Sequence, residues 1–290
     1  MPYLDEEDAL DEGVETRRKH KGAGPKVKRT RRDLLWAAGQ PRPTSTTEFA
    51  DADMQMLYDR GYFDRFVGEL KGGKEATVFL VAKGEERLAA KVYADIDVRT
   101  FRNDAVYWSG FYVSDARARK AMQSRSRTGK RVQQGIWVTR EYHYLWRLHR
   151  EGLPVPRPAV GPEPSAIDEA GSVVLMEFVG DGDVPAPRLS DVRLAKPEAE
   201  SAFAQTEALF TRLAQLGLVH GDLSTYNLLW HHGKVWLIDV PQMVEIEASR
   251  PALELLARDA RSIVTSFRRL GVHGDGDGLV RAAHAVMRER

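Results

Sequence analysis

The spacing of apolar and polar positions changes about half-way along this chain. Three runs, Phe63–Leu70, Ala76–Ala82 and Arg87–Tyr93, carry β-branched and aromatic residues in partial alternation. With Lys71-Gly72-Gly73-Lys74 and Lys83-Gly84 between them, they predict antiparallel strands joined by tight turns. Before them, Met54, Leu57 and Tyr58 mark a short helix that ends at Gly61. A longer helix is predicted from Val132 to His149, stopped by Gly152 and Pro154, and Ser172–Phe178 reads as a buried strand. Glu198–Leu216 is helical, with Phe203, Leu209, Phe210, Leu213 and Leu216 on its apolar side and Gly217 past its end. Leu228–Trp230 and Val235–Ile238 read as short strands, and Pro251–Leu270 and Gly278–Arg288 as helices. A strand-rich first half followed by a mostly helical second half is an α+β plan of two lobes. The Gly/Pro/Asp-rich segment Gly180–Pro187 is the candidate hinge. The predicted units are a flexible charged arm over 1–48, a first lobe over 49–180 with a mobile basic insertion at about 109–130, and a second lobe over 181–290.

Composition narrows the class. The 290 residues suffice for a sizeable core, and 42% hydrophobic with 29% charged residues is ordinary for a soluble globular enzyme. No apolar run approaches the ~18 residues that a membrane span needs, and Met1–Glu15 is acidic rather than signal-like, so no membrane partner and a cytoplasmic location are expected. The absence of cysteine excludes disulfides, thiolate nucleophiles and cysteine zinc sites. The net charge of +1 hides two basic blocks: nine Lys or Arg and no acid between Arg17 and Arg32, and no acid from Arg117 to Arg140. Such blocks form solvated arms or contact a polyanion such as nucleic acid.

Candidate chemistry concentrates in Leu218-Val219-His220-Gly221-Asp222-Leu223-Ser224-Thr225-Tyr226-Asn227. An Asp and an Asn five residues apart in a turn can face one cavity, the carboxylate orienting an attacking hydroxyl and the amide oxygen ligating a hard cation. Asp239 ends the apolar strand Val235–Ile238, where a carboxylate is costly unless a cation meets it, and magnesium carrying ATP phosphates is the natural candidate. Trp137, Tyr144, Leu145 and Leu148 define the apolar face of the long predicted helix, and Glu141 falls on that same face. Glu141 needs a cationic partner there, as Lys91 in the apolar strand Leu88–Tyr93 needs an anionic one, and pairing the two would hold the ammonium over ATP phosphates. The small residues of Lys71-Gly72-Gly73-Lys74 let backbone N–H groups approach phosphate oxygens. His220 is read as structural, His231-His232 before Gly233 as a polar hairpin turn, and Asp275 and Asp277 as loop.

With these residues, the chain resembles the RIO family of atypical serine/threonine protein kinases, most closely its type-one branch, over about Phe49 to Gly271. The matching blocks are Gly73-Lys74-Glu75-Ala76, Lys91-Val92-Tyr93, Trp137–Leu145, Val174–Phe178 with Pro185-Ala186-Pro187, Val219–Ser224 with Tyr226-Asn227, and Ile238-Asp239-Val240. The resemblance implies a two-lobed protein-kinase-like fold, with a small antiparallel-sheet N-lobe and a shortened, mainly helical C-lobe. It implies Asp222 as catalytic aspartate and Asn227 and Asp239 as ligands of Mg2+ (or Mn2+). Gly72, Gly73, Lys74 and Lys91 would serve the ATP phosphates, with Glu141 pairing Lys91. Met176 would be gatekeeper of the adenine pocket, and Glu177 and Val179 its hinge contacts. Autophosphorylation in the basic insertion would fall on Ser124, Ser126 or Thr128. The chain departs from the family pattern at Lys71-Gly72, at Gly221 and Thr225, and at Pro241, and none of these removes a charge the mechanism needs.

Three activities fit these residues: a protein kinase acting on protein substrates including itself, a small-molecule kinase, and an ATP-gated factor whose ATPase cycle controls binding to RNA or a ribosomal particle. Ser224-Thr225-Tyr226 and Ile238-Asp239-Val240 speak against the small-molecule type, and the basic arm suits the last.

Overall fold

In a computed structural model, the structure describes residues 49–73, 75–94, 127–248 and 250–289, the side chains of 127–133, 248 and 250 excepted. The expected N-terminal arm, Lys74 and the basic insertion up to residue 126 lie outside the described residues.

Helix α1, Ala52–Asp59, begins where Asp51 Oδ1 accepts from the amides of Asp53 and Met54, and it buries Met54 and Leu57. Strands β1 (Arg65–Gly72), β2 (Ala76–Lys83), β3 (Glu86–Tyr93) and β4 (Val173–Glu177) form one antiparallel sheet in that order. The β1–β2 register slips twice, between Phe66 and Gly68 and between Glu69 and Lys71, which bends the edge strand ahead of the glycine loop. Strand β3 is central, so Lys91 lies opposite Val78 of β2 and Val174 of β4.

Helix α2, Arg127–Arg150, packs against β4. It starts before the predicted Val132 and takes over the end of the basic segment expected to be an insertion. Lys and Arg are good helix formers in themselves, and no acidic residue was needed to sustain the helix there. Helix α3, Pro164–Glu169, had no sequence signal beyond its leading proline. The candidate hinge is a two-rung hairpin of β5 (Gly180–Asp181) and β6 (Val184–Pro185).

The second half is built on α4 (Lys196–Gln215), which buries Phe203, Leu209, Phe210 and Leu213. Its partners are α5 (Arg250–Phe267) and α6 (Gly276–Arg288), and Phe203 meets Phe267 edge-on at 5.1 Å between centroids. Asp275 and Asp277 were expected in a loop; instead Asp275 precedes α6 and Asp277 sits in its first turn, where an acid complements the helix dipole. Between α4 and α5 run β7 (Leu218–Val219), a 3-10 turn at Thr225–Asn227, the hairpin β8 (Leu228–His231) and β9 (Lys234–Leu237), and β10 (Val244–Glu245), which pairs with β7. This is the expected α+β plan, an N-terminal antiparallel sheet over a mainly helical C-terminal part. No helix among the described residues is long and apolar enough to cross a membrane.

Candidate active site

Lys91 and Tyr93 are two residues apart on β3 and therefore share a face. Lys91 Nζ donates to Glu141 Oε1 at 2.7 Å and to Asp239 Oδ1 at 2.9 Å. The Tyr93 hydroxyl donates to the other Glu141 oxygen at 2.5 Å, and its ring lies 4.9 Å from the ammonium. Trp137, Tyr144, Leu145 and Leu148 are buried beside Glu141, itself only 1% exposed, as the helical spacing predicts. Burial alone would lower the Lys91 pKa, but the Asp239 and Glu141 carboxylates outweigh it and hold the lysine well above its ordinary value. Burial raises Glu141, while the ammonium and phenol donated to it favour its charged form.

The β8–β9 hairpin brings the other candidates together. Asn227 precedes β8, Asp239 follows β9, and the Ile238 amide donates to the Asn227 carbonyl at 3.0 Å, closing the open end of the hairpin. Asn227 Nδ2 donates to the Asp222 carbonyl at 2.9 Å and to its carboxylate at 3.3 Å, so the amide oxygen is the atom left for a cation. Asp239 holds a left-handed φ of 65°, uncommon for a residue with a Cβ and a recurrent feature of functional sites. Burial works to raise its carboxyl, and Lys91 overrides that and holds it below the usual range. Asp222 is exposed; desolvation by its surroundings raises it, Asn227 opposes the rise, and the Asp239 charge adds to it.

A cavity of about 310 Å³ runs from this polar end between sheet and C-terminal part. Val78, Ala89 and Met176 line it from the sheet, Leu229 and Ile238 from the β8–β9 side, and Lys91, Glu141 and Asp239 close its inner end. Glu177 and Val179 also line it. Asp222, Asn227, Gly72 and Gly73 are not in its wall; Asn227, which holds Asp222, is bonded to the lining residue Ile238, and the glycines follow Leu70 and Lys71, which do line it. Gly73 is needed for close approach, since a Cβ there would stand 2.8 Å from the Ala76 carbonyl oxygen.

Several supporting residues were missed by sequence reasoning. Buried Asp259 on α5 accepts from the amides of Gly221 and Leu223 at 2.7 and 3.1 Å, bracing the loop on both sides of Asp222, and Arg258 donates to the Gly221 carbonyl. Burial pushes Asp259 up to about 7. Arg140, beside Glu141, is buried and donates to the carbonyls of Pro241 and Met243, which ties α2 to the segment after Asp239. Lys71 and Arg188 add cations at the cavity. Tyr93 had a signal, its place two residues from Lys91; Asp259 and Arg140 had none. His220 is structural as expected: it is buried, its Nδ1 accepts from the Asp222 amide at 3.3 Å, and burial lowers its pKa to about 4.

A sheet over helices with a lysine–glutamate pair at the seam is the architecture of the protein-kinase class. Consistent with this, residues 77–277 match the family model described as the RIO domain. The chain is 35% identical over 235 residues to the RIO-type serine/threonine-protein kinase Rio1 of Haloferax volcanii, covering 80% of this chain and 74% of that protein. It is 33% identical to the serine/threonine-protein kinase RIO3 of Homo sapiens over 76% of this chain and 41% of the relative. The serine/threonine-protein kinase RIO1 of Caenorhabditis elegans is also 33% identical, over 74% of this chain and 40% of its own length. The chain belongs to the RIO domain family of protein kinases.

Proposed function

We propose that this protein transfers the γ-phosphoryl group of ATP to serine or threonine hydroxyls of protein substrates, its own included. The supporting observation is the Lys91 ammonium, held between Glu141 and Asp239 at the inner end of an apolar slot. A triphosphate in the slot would meet that ammonium, and Gly72, Gly73 and Lys74 belong to the loop that would close over it. Met176 stands as gatekeeper. At the hinge, Glu177 N donates to Arg157 O, Phe178 N to Arg87 O and Ala186 N to Val179 O, which leaves the Glu177 carbonyl and the Val179 amide for the edge of a purine. Asp222 accepts and orients the attacking hydroxyl.

The residues fit a divalent metal. Glu75, Asp222 and Asp239 are close enough that, after burial, the other two carboxylates raise the pKa of Glu75, so the site carries more negative charge than Lys91 alone offsets. Asp239 and the Asn227 amide oxygen are hard ligands suited to Mg2+ or Mn2+. When bound, such an ion offsets charge on the phosphoryl group being transferred.

The test is Mg-ATP turnover by the full chain beside Asp222→Ala and Asp239→Ala, following phosphate into protein and into solution. Losses of at least ~100-fold are expected in both; a variant that retains wild-type turnover would remove its residue from the mechanism. Mass mapping after incubation with Mg-ATP should find phosphate on Ser124, Ser126 or Thr128.

The nine Lys or Arg between Arg17 and Arg32 favour a second role, binding RNA or a ribosomal particle in a nucleotide-dependent way, in the cytoplasm. Deleting residues 1–33 should weaken salt-sensitive RNA binding while turnover persists, and an unchanged RNA affinity would refute the arm's part in it. We place the lobe boundary at residue 180, on the hinge hairpin.

A further inference from the structure

We propose that Asp181, His231 and His232 form a site for a transition-metal ion of the Zn2+ type, separate from the cleft. His231 ends β8 and pairs with Lys234, so His232-Gly233 is a two-residue hairpin loop. Both loop residues have positive φ, 48° and 73°, the conformation that usually selects Asn-Gly or Asp-Gly. A histidine at the first position is not what the turn asks for. Its effect is on direction: neighbours in a strand point to opposite faces, but this turn folds the His232 ring back beside His231, with centroids 4.1 Å apart.

Both rings present Nε2 to one carboxylate oxygen contributed by β5. His232 Nε2 is 2.9 Å and His231 Nε2 3.3 Å from Asp181 Oδ1, and the three ligand atoms lie within 4.8 Å of one another. Tetrahedral zinc with bonds of about 2.0–2.1 Å spaces its ligand atoms by roughly 3.3 Å. The Nε2 of His231 is shielded from solvent, and its 3.3 Å contact with Asp181 Oδ1 is too poorly directed to make a good hydrogen bond, which is unfavourable for a buried polar nitrogen. A metal ion would satisfy it. Two imidazoles and a carboxylate suit Zn2+, Ni2+ or Cu2+, whereas the oxygen pair Asn227 and Asp239 suits Mg2+.

The ligands come from two hairpins that both border the cavity, one next to Val179 and the other carrying Leu229. Main-chain bonds already join these regions, Trp230 N to Pro187 O at 2.9 Å and Leu189 N to Leu228 O at 2.8 Å. A metal bridge would add a cross-link at the tip of the β8–β9 hairpin.

The test is titration of the chelator-stripped full chain with Zn2+ against a chromophoric indicator, with excess Mg2+ present to hold the cleft. Wild type is compared with Asp181→Ala, His231→Gln and His232→Asn, the last keeping a residue the turn prefers. We expect one Zn2+ equivalent to weaken at least ~10-fold in each variant. Co2+ should give wild type, and not His232→Asn, the visible absorption of a tetrahedral site, and Zn2+ should raise the melting temperature of wild type alone. The proposal is overturned if wild type binds no Zn2+, or if affinity and stoichiometry are unchanged in His232→Asn and Asp181→Ala. Loss of the zinc equivalent in Asp239→Ala only would place the ion in the cleft and overturn it equally.

Discussion

The candidate active site has two sides, a sheet wall that lines the cavity and a loop wall around Asp222 that stands outside the cavity lining, and they are held in different ways. On the sheet side, Lys91 and Tyr93 of one strand are joined to Glu141 of the helix by a buried charge pair and a phenol. On the loop side, Asp222 makes little use of charge to stay in place. Its position comes from the main chain around it, because Asp259 accepts from the Gly221 and Leu223 amides, His220 accepts from the Asp222 amide, and Asn227 donates to the Asp222 carbonyl. A ligand that competes for Lys91 therefore acts directly on the bonds of the sheet wall, whereas none of the main-chain bonds around Asp222 involves Lys91.

The largest break should come from Lys91→Met. It leaves Glu141 buried without its cation, and removing one member of such a pair costs about 3–5 kcal/mol. Turnover should fall at least ~100-fold, as the phosphates lose their ammonium. Lys91→Met with Glu141→Leu should recover stability in denaturant melts and recover no turnover. A single variant as stable as wild type would mean that the pair contributes nothing to the fold.

Asp259→Asn tests the loop wall. The carboxylate accepts two amides, whereas an Asn side chain can accept only one and turns an N–H toward the other, a loss of about 2 kcal/mol. Turnover should drop about 10-fold while ATP affinity stays put, since the cavity wall does not include the braced loop. A weakened ATP affinity with unchanged kcat would reverse the proposed division between the walls.

The sheet wall was legible because its logic is local. A lysine inside an apolar strand and a glutamate on the apolar face of a helix each announce a missing partner, and the helical period alone sets Glu141 beside Trp137 and Leu145. Asp222, Asn227 and Asp239 were legible as a spacing. The braces were not, because Asp259 meets its amides from 36 and 38 residues away and Arg140 its carbonyls from over 100, distances at which no periodicity speaks. The β7–β10 pair, of two residues each, is likewise held by tertiary packing rather than by pattern. The start of α6 was misplaced for a related reason: Gly-Asp-Gly reads as a turn, and packing on α4 and α5 overrides that.

Tyr93→Phe should be milder than either break. It removes one hydrogen bond to a carboxylate that Lys91 still satisfies, a loss of about 1.5 kcal/mol. Turnover should fall less than ~10-fold; a loss as large as that of Lys91→Met would make the phenol an equal partner in the pair.

The smallest expected effect sharpens the loop wall through pH. Burial lowers His220 to about 4 from an ordinary value near 6.5, so the folded protein resists a proton that the unfolded chain accepts. The histidine's neutral form is compatible with the fold at pH 7, and stability is lost as pH falls through the window from 6.5 toward 4. Between pH 7 and 5.5 that loss amounts to about 1 kcal/mol. Asp259 acts in the opposite sense over part of this range: its carboxyl, raised to about 7, favours the folded state as it takes up a proton. The two tendencies are separated by comparing wild type with His220→Asn, whose amide oxygen can still accept from the Asp222 amide. Denaturant midpoints in chelator should converge as pH drops from 7 to 5.5, because the variant loses only the histidine's share of the acid sensitivity. Parallel pH dependences in the two proteins would show that His220 takes up its proton equally in the folded and unfolded chain, and that the loop wall is not held by a neutral ring.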